Sequence, residues 1–239
     1  MKVSVVIPVY NGGSLLRVMM DSVLAQTEPS FEVVAVDDGS TDCGRTAAIL
    51  EEYAKKDGRI RVVTQPNKGV SQTRDFGVAQ ARGDWVYVCD QDDYLHPRML
   101  EFCLWACERH NLDYLKITHQ FGSVNATSRL APIDDFSDVP VAVVDNFSSD
   151  GETVGKMLKK LHVDPWAQFT RRELSLRFPF SKYDVSRVFH LVTAASRWGV
   201  EELPLYYYHG DIMESMIHKA ITFPVSPPEP IAVKDCSTW

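Results

Sequence analysis

Short apolar runs alternate with amphipathic stretches through the first half of the chain. Val3 to Val9 is nearly continuous in apolar side chains, the pattern of a strand covered on both faces. Leu16, Met20, Val23 and Leu24 then recur at helical spacing. Phe31 to Val36 predicts a second buried strand, and Ala47, Leu50 and Ala54 give the next helix one apolar stripe. Ile60 to Thr64 predicts a third strand, followed by a helix from about Val70 to Ala81 and, after Gly83, a fourth strand over Trp85 to Cys89. The order βαβαβαβ at short spacing predicts a mainly parallel sheet wrapped on both faces. Pro97 opens another helix at its favoured first position, running to about His110 with Leu100, Leu104 and Cys107 inward. Asp113 to Phe121 predicts a fifth strand.

Each of the first four strands ends on polar chemistry: Tyr10-Asn11, Asp37-Asp38, Asn67-Lys68, and Asp90 to Asp93. In a parallel sheet these ends share one edge, so groups distant in sequence converge there. Taken alone, the D-x-D-D after the fourth strand fits an acidic turn as well as a metal site, because aspartate is favoured in turns for local reasons. In extended backbone Asp90 and Asp92 would project the same way, and two such oxygens suit a hard cation completed by substrate phosphates. Four polar ends in series are hard to explain as solvated turns. Gly12-Gly13 is not the dinucleotide fingerprint, and no Walker lysine motif is present.

The 239 residues carry a net charge of −7, which argues against a nucleic-acid partner. No run approaches the length of a membrane span, and the first strand begins at the N-terminus, so no leader is expected. The five cysteines contain no C-x-x-C pair, and a reducing cytoplasm fits them most simply.

The segments VSVVIPVYNGG, EVVAVDDGSTD, NKGVSQTRDFGVAQARGDWVYVCDQDDYLHP and RFPFSKYDVSRVF, in this order, resemble family-2 glycosyltransferases of the GT-A fold. The resemblance is strong over residues 1–120 and looser over 155–216. It implies an α/β fold with a mainly parallel, Rossmann-like sheet flanked by helices and a smaller C-terminal acceptor-side subregion. Residues 1–120 would be the nucleotide-sugar-binding core, 121–216 the acceptor-side region of the same catalytic domain, and 217–239 a Pro-rich extended tail. The resemblance further implies that the Pro8-Val9-Tyr10 turn receives the nucleobase, with Tyr10 stacking on it. Asp38 would accept a hydrogen bond from the base, a choice favouring uracil, and Arg74 would sit against the nucleotide. Asp90 would approach the ribose, and Asp92 would hold Mg²⁺ or Mn²⁺ on the diphosphate. Asp93 is common in the family with a less fixed role. The family usually has asparagine at the position of Asp75. From the residues alone, Arg74 reads equally as a surface cation paired with Asp75 or Asp42.

In the second half, 122–151 is polar, with a short edge strand expected at Val139 to Val144 and a helix at Gly155 to Leu161. Pro165 to Leu174 resembles the family segment before the acceptor-side helix. Asp184 precedes a stripe of Val185, Val188, Phe189, Val192 and Ala195. The resemblance assigns Asp184 as the catalytic base, although an aspartate there is also an ordinary helix N-cap. Tyr183 stands where the family usually has glutamate. His209 lies at a position often basic in the family, where it could touch diphosphate or metal.

The implied activity is an inverting, metal-dependent transfer of a sugar from a nucleoside-diphosphate donor, UDP in the first instance. The acceptor would be a saccharide or lipid-linked hydroxyl in surface polysaccharide synthesis, reached at the inner face of the membrane with peripheral association. The competing reading is a catalytically silent homologue that binds sugar nucleotide. A sugar nucleotidyltransferase ranks last, since Tyr10 to Gly13 carries no lysine or arginine for a triphosphate.

Overall fold

A computed structural model describes residues 1–122, 133, 135–137, 139–159, 161, 166–183 and 186–209. The first half runs β1 (Val3–Val9), α1 (Gly13–Leu24), β2 (Phe31–Asp37), α2 (Arg45–Lys56), β3 (Ile60–Thr64), α3 (Val70–Gln80) and β4 (Trp85–Val88). Then follow β5 (Tyr94–Leu95), α4 (Met99–His110), β6 (Tyr114–Gly122), β7 (Val141–Asp145) and α5 (Gly151–Leu158). The last described elements are β8 (Gln168–Arg171), α6 (Arg172–Arg177), α7 (Phe180–Tyr183), α8 (Arg187–Ala194) and β9 (Arg197–His209). The nine described strands make one sheet in the order β3-β2-β1-β4-β8-β6-β9-β5, with β7 also paired to β9. β1, β2, β3 and β4 are mutually parallel and β6 is parallel to β9, whereas β8 is antiparallel to both its neighbours. β5 and β7 run antiparallel to β9.

All seven residues of β1 and of β2 are buried, so the near-continuous apolar runs are what two covered faces require. Alternation sorts the side chains. Val5, Ile7 and Val9 share a core with Leu16, Met20 and Leu50 on one face, while Val6 and Val34 meet Val78 and Ala81 on the other. α3 lies so close to the sheet that a Cβ on Gly77 would come within 2.3 Å of Val6 Cγ1. That approach holds Arg74, about one helical turn earlier, over the sheet's edge.

The chain winds from β1 outward through β2 and β3, then returns to place β4 on the other side of β1. The reversal makes a topological switch point at the carboxyl ends of β1 and β4, where open α/β sheets take ligands. β9 pairs along β6 with a register jump, from Ile117↔Glu201 to His119↔Tyr206. Pro204 falls in this bulge, the place where a strand tolerates a residue without a backbone donor.

Several boundaries differ from the sequence reading. In α2 the buried stripe is Thr46, Ile49, Leu50 and Tyr53, while Ala47 is exposed, because the larger side chains claim the sheet face. α4 starts at Met99, with Pro97 and Arg98 in the turn before it. α5 begins at Gly151, where Asp150 caps the Thr153 N–H, earlier than the apolar spacing indicated. α8 buries Arg187, Val188, Leu191 and Val192, and Phe189 faces outward at 44% exposure. The antiparallel strand β8, inserted between β4 and β6, was not anticipated. The tail over 217–239 and most of 123–138 lie outside the described residues.

Candidate active site

Three strand ends build the mouth. β4 stops at Val88, which pairs with Val6, three residues short of the end of β1. The chain then turns through Gln91 and Asp92 across the space that β4 leaves. The extended backbone expected for D-x-D is therefore a turn, so Asp90 and Asp92 are not set side by side by strand geometry. Pro8 lies inside β1 and is buried, whereas the turn begins at Tyr10. The Val6 carbonyl bonds Cys89 on the β4 side and the Val9 carbonyl bonds Asp38 on the β2 side. By alternation Pro8 faces the β4 side, beyond the end of that strand, so its missing N–H costs no ladder bond.

Tyr10 is 39% exposed, one of few large apolar side chains left in solvent among the described residues. Its backbone is held by Gln91, whose Oε1 accepts from the Tyr10 N–H and whose Nε2 donates to the Tyr10 carbonyl, both at 3.0 Å. Asn11 takes a left-handed φ of 51°; its N–H donates to Ser40 Oγ and its Oδ1 accepts from the Thr41 N–H. The β1 and β2 ends are thus laced together around a free-standing aromatic ring.

Asp37 and Asp38 divide the work at the β2 end. Asp37 turns inward and accepts from the Ser40 N–H and hydroxyl at 3.0 and 2.6 Å. Asp38, 3% exposed, accepts from Gln65 Nε2 at 2.8 Å, the Lys68 N–H at 2.9 Å and the Gly69 N–H at 2.9 Å. Burial by itself would raise its carboxyl, yet the Gln65 amide, the Thr73 hydroxyl and those two N–H groups together hold it below the ordinary carboxylate value. The β2 and β3 ends are joined through this one ionised group. Gly39, at φ +69°, lets the chain turn where a Cβ would meet the Asn67 nitrogen at 2.9 Å.

Arg74 is buried and ion-paired to Asp90, with Nη2 to Oδ1 at 2.5 Å. The surface pairing with Asp75 or Asp42 is replaced by this bond across the mouth. Asp75 instead accepts from the N–H groups of Phe180 and Ser181 at 2.6 and 2.9 Å. Asp93 is 1% exposed, and its carboxylate accepts from the Tyr206 hydroxyl. Burial, then Asp93 and Asp90, push the Tyr206 phenol well up. Asp93 therefore braces the D-x-D-D turn against β9. Asp92 stands half-buried in the turn.

Arg187 is a further buried group that the sequence reading did not single out. It donates to the Phe178 carbonyl, to Ser175 Oγ and to Gln168 Oε1, and its guanidinium lies 3.8 Å from the Phe180 ring centroid. Burial brings it down to about 10. Gln91, Asp75 and Arg187 were missed because their partners are backbone atoms or lie far along the chain. Asp184 lies outside the described residues, and of His209 only the backbone is described, paired to Gly122.

Among the described residues no three acidic, histidine or cysteine groups converge as a closed metal cage. The carboxylates of Asp90 and Asp92 in one short turn instead suit a hard cation that keeps waters and is completed by a ligand's phosphates. The donor chemistry fits Mg²⁺ or Mn²⁺.

The family profile described as "Glycosyl transferase family 2" matches residues 4–132. A protein of Bacillus subtilis (strain 168), described as the uncharacterized glycosyltransferase EpsJ, is 39% identical over 111 residues, covering 46% of this chain and 32% of that one. The chain thus spans about a third of the length of the curated relatives it matches. The crystal structure of S. aureus TarS 1–349 in complex with UDP-GlcNAc superposes with a TM-score of 0.69 at 26% identity, over 89% of this chain and 59% of that one. The mannosyltransferase PcManGT from Pyrobaculum calidifontis, in complex with GDP-Man and Mn²⁺, shares the fold at a TM-score of 0.64 and 17% identity, over 95% of this chain and 66% of that one.

Proposed function

The chain belongs to glycosyl transferase family 2 and has the GT-A fold; from that premise we propose that it transfers a sugar from a UDP-sugar to a saccharide or lipid-linked hydroxyl. The observation that carries this reading is the convergence of Tyr10, Asp38 and the Arg74–Asp90 pair at the carboxyl edge of β1, β2 and β4. An exposed aromatic ring offers a stacking surface to a base. Asp38, held ionised by three donors, keeps acceptor capacity for a ring N–H. Arg74 fixes Asp90 at the ribose position. UDP-GlcNAc in the S. aureus TarS structure supports a uridine donor.

Asp92, in the turn after β4, would hold the divalent cation on the diphosphate. When bound, that cation supplies Lewis-acid neutralisation of the charge on the leaving group. Asp184 takes the acceptor hydroxyl proton as that oxygen forms its bond to the anomeric carbon. The bond from that carbon to the diphosphate breaks on the opposite face, UDP departs, and the configuration inverts. Gln91 and Asp93 act by holding Tyr10 and the acidic turn in place. The protein's place is in surface polysaccharide synthesis, at the cytoplasmic face of the membrane with peripheral association. No described helix is long and apolar enough to cross one.

The test is UDP release from UDP-GlcNAc, UDP-glucose and UDP-galactose, with Mn²⁺ and a lipid-linked saccharide extract. Release that depends on extract and is lost in Asp184→Asn supports the reading. UDP binding with no release from any donor would favour the silent homologue.

A further inference from the structure

Two adjacent residues of α3 reach in different directions. Arg74 bonds Asp90 at the donor mouth, while Asp75 spans 105 residues of sequence to the start of α7. Both Asp75 oxygens are engaged there, Oδ1 with the Phe180 N–H at 2.6 Å and Oδ2 with the Ser181 N–H at 2.9 Å. These are first-turn donors that the short α7 cannot satisfy itself, and a charged acceptor makes the bonds strong. Phe180 is fully buried, with the Arg74 guanidinium 5.7 Å and the Arg187 guanidinium 3.8 Å from its ring centroid. It is therefore fixed by its backbone through Asp75 and by its ring against two cations. α7 ends at Tyr183, the residue before Asp184 in sequence.

We propose that Asp75 is a positioning residue, clamping α7 to the helix that carries Arg74 so that the acceptor side is registered against the donor side. The inference rests on the transferase reading for its consequence and on the two bonds of Asp75 for its geometry. With both carboxylate oxygens taken by backbone N–H groups, Asp75 acts through Phe180 and Ser181. The placement of an acceptor-side segment should then govern turnover and leave donor binding alone.

The test compares the full chain with Asp75→Ala and Asp75→Asn. Hydrogen exchange is read at the Phe180 and Ser181 amides, UDP affinity with Mn²⁺ by calorimetry, and kcat and KM for UDP release from UDP-GlcNAc. In Asp75→Ala the two amides are expected to exchange about tenfold faster, with UDP affinity and donor KM within about twofold and kcat down about tenfold. Asp75→Asn keeps one acceptor oxygen and is expected to recover part of both losses. Unchanged exchange in Asp75→Ala, or UDP affinity falling in step with kcat, would overturn the inference. A wild type that releases no UDP from UDP-GlcNAc, UDP-glucose or UDP-galactose with the lipid-linked extract present would overturn the transferase reading instead, and the exchange at Phe180 and Ser181 would still decide the clamp.

Discussion

Gln91 holds Tyr10 by both backbone groups, accepting from its N–H and donating to its carbonyl at 3.0 Å each. The two residues stand 81 positions apart and join the end of β1 to the turn after β4. Gln91→Ala removes both bonds at the rim of the mouth. Unfolding free energy is expected to drop by only about 1 kcal/mol, since the site is solvated. UDP affinity is expected to fall about tenfold, because the Tyr10 ring loses its fixed placement. Calorimetric UDP titration beside urea unfolding separates the two effects.

Asp38 links β2 to β3 as an ionised group with three donors. In Asp38→Asn the amide nitrogen must face at least one of those N–H groups. The expected loss is about 1–3 kcal/mol at neutral pH. The folded carboxyl lies below its ordinary value, so its contribution is present above about pH 4 and is lost as pH falls through the lowered folded value. Urea midpoints of wild type and variant should therefore differ most near neutrality and draw together in strong acid.

The Arg74–Asp90 pair is half-sheltered, with side chains 5% and 22% exposed. Arg74→Met keeps much of the packing against Phe180 and leaves Asp90 without its partner. A melting-temperature loss of a few degrees is expected, corresponding to about 1–2 kcal/mol. The UDP affinity should fall more steeply than in Gln91→Ala.

Gly77 faces Val6 Cγ1 across a gap that a methyl group would fill to 2.3 Å. Gly77→Ala is expected to destabilise by more than about 2 kcal/mol despite its better helix propensity. Pairing it with Val6→Ala should recover part of the loss, read by urea unfolding. Full independence of the two substitutions would contradict the close approach.

The first half of the fold was legible because β1, β2 and β4 are buried on both faces and the connections are short. Val3–Val9 and Ile60–Thr64 match the apolar runs residue for residue. The strand-end rule also brought Tyr10, Asp38 and Asp90 to one edge before any coordinates, whereas Arg74, inside α3, was placed at the nucleotide by the family resemblance alone. β8 was not legible, since Gln168-Phe169-Thr170-Arg171 has little apolar content and its strand identity comes from pairing with β4 and β6. Phe189 was read as core because its spacing fits, but Arg187 takes the inward position, its charge offset by a carbonyl, an amide, a hydroxyl and an aromatic face. Long-range partners such as Gln91 for Tyr10, or Asp75 for Phe180, leave no local signature for periodicity to find.

A metal-completed UDP site at the mouth of β1 and β4 stands or falls on titration of UDP, with and without Mn²⁺, into wild type and Asp92→Ala. Micromolar binding that requires Mn²⁺ and weakens by at least about tenfold in Asp92→Ala is the expected result. Binding of equal strength without metal, or unchanged in Asp92→Ala, would contradict a cation held by Asp92. No UDP binding under either condition would contradict the site itself.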